Sequence, residues 1–262
     1  MKNVFWYNNA IGYVQFMQTK NIGIIASIII GIAIIGTFSL GISTQNNIDK
    51  TAVTSDTVNV LLQNSERILV VDIRTVEEYG LGHLDGASHD ILDSTTLEKR
   101  VKTIQNRLPE VASTFNFVLI DDDGIQAKQA AQTMTEMGIQ AFYLDGGMTN
   151  LSENLVSNSQ TVIDSTELMK KLDADEDLYL LDVRQPDELL ESKIDGAVNI
   201  PLAEIFQPNG MDSIPTDKPV VIICGSGNRA TIATYALAQE GIDFQVLEGG
   251  MKAWNTQIQS GM

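Results

Sequence analysis

Ile222-Ile223-Cys224-Gly225-Ser226-Gly227-Asn228-Arg229-Ala230 is the stretch on which the reading of this chain turns. Two β-branched apolar residues run into Cys224, as at the end of a buried strand, and Arg229 to Glu240 reads as a helix that Gly241 stops. The cysteine therefore falls in a short glycine-containing loop between a strand end and a helix N-terminus. Backbone N–H groups of such a loop point inward, and with the helix dipole they favour negative charge at its centre, a thiolate or a persulfide anion. Cys224 is the only cysteine among 262 residues. By residue type a lone cysteine is most often a small buried hydrophobe. Packing, however, needs neither two glycines nor an arginine beside it.

Three flanking elements add to the loop. Upstream stands Asp182-Val183-Arg184, then Ile194-Asp195-Gly196-Ala197-Val198-Asn199-Ile200-Pro201-Leu202. Downstream stands Leu247-Glu248-Gly249-Gly250-Met251-Lys252-Ala253-Trp254. With the Cys-x-x-Gly-x-Arg spacing of Cys224, Gly227 and Arg229, these elements resemble the smaller type of the rhodanese family of sulfurtransferases. The resemblance implies that Cys224 is the catalytic nucleophile and that Gly225, Ser226, Gly227, Asn228 and Arg229 bind substrate. The implied partners are a small anionic sulfur donor, such as thiosulfate, and a thiol or other thiophilic acceptor, with no cofactor and no metal. Amides from Gly225 to Ala230 would hold the persulfide, and Arg229 would offer positive charge to the donor or to the loop. Ser226 and Asn228 either donate side-chain hydrogen bonds or shape the turn.

The unit occurs twice. At an offset of 110, Val71-Asp72-Ile73-Arg74 lies under Leu181-Asp182-Val183-Arg184, and Leu84-Asp85-Gly86-Ala87 under Ile194-Asp195-Gly196-Ala197. At an offset of 103, Leu144-Asp145-Gly146-Gly147-Met148 lies under Leu247-Glu248-Gly249-Gly250-Met251. The first copy thus holds seven extra residues between Ala87 and Asp121, around the charged, helical stretch Thr95 to Leu108. We expect domains at 49–155 and 160–262, joined through the polar stretch Ser152 to Gln160 and preceded by a segment at 1–48. Short apolar runs alternating with amphipathic helices predict an α/β fold in each copy, a mostly parallel sheet with helices on both faces. Second-copy strands are expected at Leu178–Val183, Val198–Ile200, Val220–Ile223 and Phe244–Leu247. Loops at the C-terminal ends of such strands form the binding crevice, where Cys224 falls.

In the first copy, Asp121 stands at the position of Cys224 and Gln126 at that of Arg229. Asp121 cannot carry sulfane sulfur, so the first copy is expected to be catalytically inactive, packing on the second and shaping access to Cys224. Asp121-Asp122-Asp123 reads as a turn of solvated aspartates rather than a cation site. His83 and His89 have no cysteine partners and give no zinc pattern. Asp182 and Arg184 read as a structural ion pair near the strand end.

Ile22 to Ile42 is an uncharged apolar run of 21 residues, about 31 Å as a helix and enough for one bilayer crossing. Its length favours an uncleaved anchor over a cleaved signal, for which Ser39-Leu40-Gly41 and Gly41-Ile42-Ser43 offer cleavage spacing. Lys2 and Lys20 precede the run, which predicts a single-pass membrane protein with both domains extracytoplasmic, or a secreted or periplasmic one if the segment is cleaved. Of the 17 basic residues these two precede Asp49 and no acidic residue does, so from Asp49 onward 15 basic residues face 34 acidic ones. That balance excludes nucleic acid and anionic lipid surfaces as partners.

Three other functions compete. A mercaptopyruvate sulfurtransferase would share Cys224-Gly225-Ser226-Gly227 but not Asn228-Arg229. A phosphatase of the same fold needs Cys-x5-Arg, one residue more than Cys224 to Arg229 provides. A non-enzymatic scaffold or sulfur carrier at the membrane would need only binding by both copies.

Overall fold

The computed structural model describes residues 51–63, 67–151, 154–157 and 161–260. The segment 1–48, with its apolar run 22–42, lies outside the described residues. Among those described, no helix is long and apolar enough to cross a membrane.

The first copy runs β1 (Ala52–Val53), α1 (Ser55–Gln63), β2 (Ile68–Asp72), α2 (Val76–Leu81), β3 (His83–Leu84), β4 (Ser88–His89), α3 (Ser94–Arg107), α4 (Pro109–Thr114), β5 (Asn116–Ile120), α5 (Ile125–Glu136) and β6 (Ala141–Leu144). After it, β7 (Leu155–Val156) pairs antiparallel with β3. The second copy runs β8 (Val162–Ile163), α6 (Ser165–Asp173), β9 (Tyr179–Asp182), β10 (Val198–Asn199), α7 (Leu202–Ile205), β11 (Val220–Ile223), α8 (Asn228–Gln239), β12 (Phe244–Leu247) and α9 (Gly250–Ser260).

Each copy builds one five-stranded sheet, ordered β1-β6-β5-β2-β4 in the first and β8-β12-β11-β9-β10 in the second. The strand orders are the same once the copies are superposed in sequence, and every pairing within both sheets is parallel. The interior strands β2 and β11 are buried along their whole length, as strands covered on both faces must be. Both copies open on a two-residue strand, β1 or β8, that completes the sheet edge beside β6 or β12. These two strands do not appear in the sequence reading, since two residues carry no periodicity.

Helix α8 joins the copies. It buries Ala230, Ile232, Ala233, Thr234, Tyr235, Ala236, Leu237 and Ala238, so its apolar surface runs all the way round. A helix of that kind needs cover on every side, which its own sheet and the first copy supply. Tyr235 packs edge-on against Phe117 at 6.3 Å between ring centroids, and Phe115 against Phe206 at 6.1 Å. One continuous apolar core therefore includes residues of both copies, among them Leu119, Ala131, Val220 and Leu237.

Candidate active site

Cys224 follows the last residue of β11, and α8 begins four residues later. Two features fold the intervening loop. Gly227 sits at φ +91°, a left-handed conformation that a side chain would strain. The closing Gly249-Gly250 pair then brings the N-terminus of α9 against the loop from outside. A Cβ on Gly250 would lie 2.2 Å from the Cys224 carbonyl oxygen, so only glycine allows this approach. Through it, the Met251 N–H donates to the Cys224 carbonyl at 2.7 Å and the Lys252 N–H to the Gly225 carbonyl at 3.1 Å. With those carbonyls held outward, the Gly227 N–H reaches the Cys224 Sγ at 3.1 Å. Cys224 itself is 1% exposed and Ser226 is exposed.

The first copy shows what such a loop holds. Gly147 presses on the Asp121 carbonyl as Gly250 does on that of Cys224, and Met148 and Thr149 donate to the Asp121 and Asp122 carbonyls at 2.8 and 3.1 Å. Inside this frame the Asp121 carboxylate accepts the N–H groups of Gly124, Gln126 and Ala127 at 2.6, 2.7 and 3.1 Å. Asp121 is 4% exposed, not the solvated residue expected from a run of three aspartates. Asp122 and Asp123 are exposed, as expected. The difference follows from the backbone: a carboxylate one step past a buried strand meets three orphan amides at a helix N-terminus, and they replace its water. By the internal repeat these amides correspond to Gly227, Arg229 and Ala230.

Arg229 does not face the loop centre as an unpaired cation. Its guanidinium makes a bidentate pair with Glu188 at 2.5 and 2.7 Å and lies beside Gly225, where a Cβ would come within 3.1 Å of Nη2. The hydrogen bonds that Arg229 donates pull the Glu188 carboxyl down to about 2, and the same pairing raises the Arg229 guanidinium. Glu188 belongs to a 3-10 turn, Pro186–Leu190, in which it also accepts the Gln185 N–H at 3.1 Å. Arg184 braces that turn, donating to the carbonyls of Glu188 and Ser192 at 3.3 and 2.8 Å while bound to the fully buried Asp182. The first copy repeats this pair as Arg74 and Asp72. The pair thus persists in the copy without a cysteine, as the structural reading of Asp182 and Arg184 expects.

Asn228 turns away from the loop centre. Its Nδ2 donates to Thr103 Oγ1 at 2.8 Å and its Oδ1 accepts from Arg100 Nη1, both on α3 of the first copy. Glu188, Arg100 and Thr103 were absent from the sequence reading. Glu188 lies 41 residues from its partner Arg229, and Thr103 lies 125 from Asn228. No local spacing reports such pairs. The only available signal was the extra charged length of the first copy around α3.

Among the described residues, no group of three or more His, Cys, Asp or Glu side chains is arranged to hold a metal ion. His83 is buried and stacked on Tyr79 at 3.7 Å between centroids, and burial lowers its pKa.

Comparison with known proteins assigns both copies to one family. The "Rhodanese-like domain" family matches residues 56–154 and again 164–257. A putative sulfurtransferase of Bacillus subtilis, YtwF, is 40% identical over 92 residues, which cover 35% of this chain and 87% of that protein. A sulfurtransferase of Allochromatium vinosum is 40% identical over 93 residues, covering 35% of this chain and 85% of that protein. Among solved structures, a rhodanese-related protein of Thermoplasma volcanium is 31% identical, with a TM-score of 0.34, over 37% of this chain and 91% of its own. The chain belongs to the rhodanese-like sulfurtransferase family and carries its domain twice.

Proposed function

We propose that this protein moves sulfane sulfur from a small anionic donor such as thiosulfate to a thiophilic acceptor, through a persulfide on Cys224. The observation that carries the reading is Asp121. Its carboxylate, held by three amides, marks the centre of the first-copy loop as a place for negative charge. Cys224 stands at that position in the second copy, within the same frame of glycines and α9 amides.

In the first half-reaction the Cys224 thiolate attacks the outer sulfur of thiosulfate. The sulfur–sulfur bond of the donor breaks, and sulfite departs with the bonding pair. In the second, a thiolate or cyanide attacks the outer sulfur of the persulfide, and Cys224 leaves as thiolate. No net oxidant or reductant is consumed, and the kinetics are ping-pong. The first copy performs no sulfur transfer in this reading, because its loop is occupied by its own carboxylate.

Mass spectrometry of the purified protein after thiosulfate treatment tests the reading. A gain of about 32 Da, one sulfur atom, that dithiothreitol removes and Cys224→Ser abolishes is the expected result. Cys224→Ser should also lose transfer from thiosulfate to cyanide while keeping the wild-type circular dichroism spectrum. A variant that retains substantial transfer would show that Cys224 is not the nucleophile.

A further inference from the structure

The first copy hydrogen-bonds to the Cys224 loop through Asn228, and the contact is polar and closely tied. Arg100 Nη1 donates to Asn228 Oδ1 and, at 3.4 Å, to the Asn228 backbone carbonyl, while Thr103 Oγ1 accepts from Asn228 Nδ2. Arg100 is itself fixed, its Nε and Nη2 donating to the two carboxylate oxygens of Asp90 at 2.6 and 3.1 Å. The buried hydroxyl of Tyr235, on α8, donates to the same carboxylate. Burial raises the pKa of this tyrosine well above its ordinary value, which keeps the hydroxyl in the donor form.

Two comparisons make this contact more than packing. The interval between Ala87 and Asp121, where the first copy is seven residues longer, holds α3 and α4, whereas the matching interval of the second copy holds the four-residue α7. The added length therefore sits where the first copy builds the helix that reaches the cysteine loop. In the first copy, moreover, the residue matching Asn228 is Ile125, which is 60% exposed. The anchor belongs to the second-copy loop.

We infer that Arg100 and Thr103 are positioning residues for the Cys224 loop and act through Asn228. The peptide that joins Asn228 to Arg229 is planar, with its carbonyl and its N–H pointing in opposite directions. Arg100 holds the carbonyl side, so it sets the direction of the Arg229 N–H. That amide matches the Gln126 N–H, which binds the Asp121 carboxylate in the first copy. The Asn228 side chain, fixed at both ends, likewise holds the peptide that follows Gly227, whose N–H reaches Sγ. A copy without a cysteine thus aims the amides of the copy that has one.

The inference rests on the sulfur-transfer reading for its kinetic arm only. Because the chain has one cysteine, alkylation by iodoacetamide reports the loop without any turnover. The variants are Arg100→Ala, Arg100→Lys, Thr103→Val, Asn228→Ala and the double variant Arg100→Ala with Asn228→Ala. Arg100→Ala should lower kcat for thiosulfate about tenfold, the scale of one misdirected donor, and should slow alkylation. Unfolding would do the opposite, exposing Cys224 and speeding alkylation. Arg100→Lys should recover part of the loss, Thr103→Val should shift both readouts in the same direction, and the double variant should be no worse than Asn228→Ala. Thr103→Val keeps the Asp90–Arg100–Tyr235 cluster and so remains readable if Arg100→Ala unfolds. Wild-type alkylation rates in both Arg100→Lys and Thr103→Val, or additive effects in the double variant, would overturn the inference. A wild type that forms no persulfide would instead defeat the sulfur-transfer reading and leave alkylation to decide this one.

Discussion

Arg229 enters the loop with a full charge, and Glu188 neutralises it through two hydrogen bonds. The guanidinium therefore stiffens the wall of the loop at Gly225, and in the proposed sulfur transfer the attraction of an anionic donor falls to the backbone amides. Glu188→Gln separates these duties. The uncharged amide leaves Arg229 a net cation, so KM for thiosulfate should fall, measured against cyanide as acceptor, while kcat falls as the turn at 186–190 loosens. The same pair has a defined pH window. Glu188 is depressed from an ordinary 4.5 to about 2, so the folded state keeps it ionised where the unfolded chain has protonated it. Its stabilisation is full above about pH 4.5, shrinks as the pH falls from there, and is gone below about pH 2. Thermal melts of wild type and Glu188→Gln should converge across that interval, and a gap in Tm that stays constant from pH 5 to pH 2.5 would show that the pair contributes nothing through ionisation.

At the scale of elements, the loop is shaped as much by the helix that follows the last strand as by its own residues. Gly241 and Gly250 both hold positive φ, at +65° and +56°, but a Cβ on Gly241 meets nothing within 4 Å, while one on Gly250 runs into the loop backbone. Gly241→Ala should therefore cost only the left-handed backbone strain, about 1 kcal/mol by chemical denaturation, and keep its sulfur-transfer rate. Gly250→Ala carries the same strain and also displaces the Cys224 and Gly225 carbonyls, so transfer should fall more than tenfold. Equal activities for the two would mean that the close approach of α9 does not shape the loop. Sequence order exposed much of this. Val220–Ile223 and Phe244–Leu247 were legible as strands, and α8 to within a residue, because runs of buried residues between turn-forming glycines are local signals. The Gly-Gly doublet was legible as a motif, but not its contact with the cysteine carbonyl. The burial of Asp121 was hidden in the same way: three adjacent aspartates read as polar, and only the folded helix N-terminus distinguishes the first from the other two.

At the scale of the whole molecule, the two copies carry corresponding loops with different contents: a carboxylate held by three amides in one, a thiol reached by the Gly227 N–H in the other. The partnership of Asn228 with α3 could not be read from either copy, since it exists only where the two meet. That partnership makes the second copy unsuited to isolation, for α8 is apolar all round and would lose its cover on one side. Two copies that share one apolar core must also cross a membrane, or stay outside one, as a single body. The apolar run 22–42, preceded by Lys2 and Lys20, leads us to propose that both copies lie outside the cytoplasmic membrane and that the run anchors them. Protease added to intact cells or spheroplasts should then degrade both copies together, with the full-length chain in the carbonate-washed membrane pellet beforehand. A released form beginning near Ile42 or Thr44 would replace the anchor by a cleaved signal and leave the compartment unchanged. Protection until the membrane is broken would reverse the orientation, and with it the chemistry of the acceptor. An outward-facing Cys224 persulfide meets few reduced small thiols and needs a dedicated acceptor, whereas an inward-facing one would sit in the cytoplasmic thiol pool.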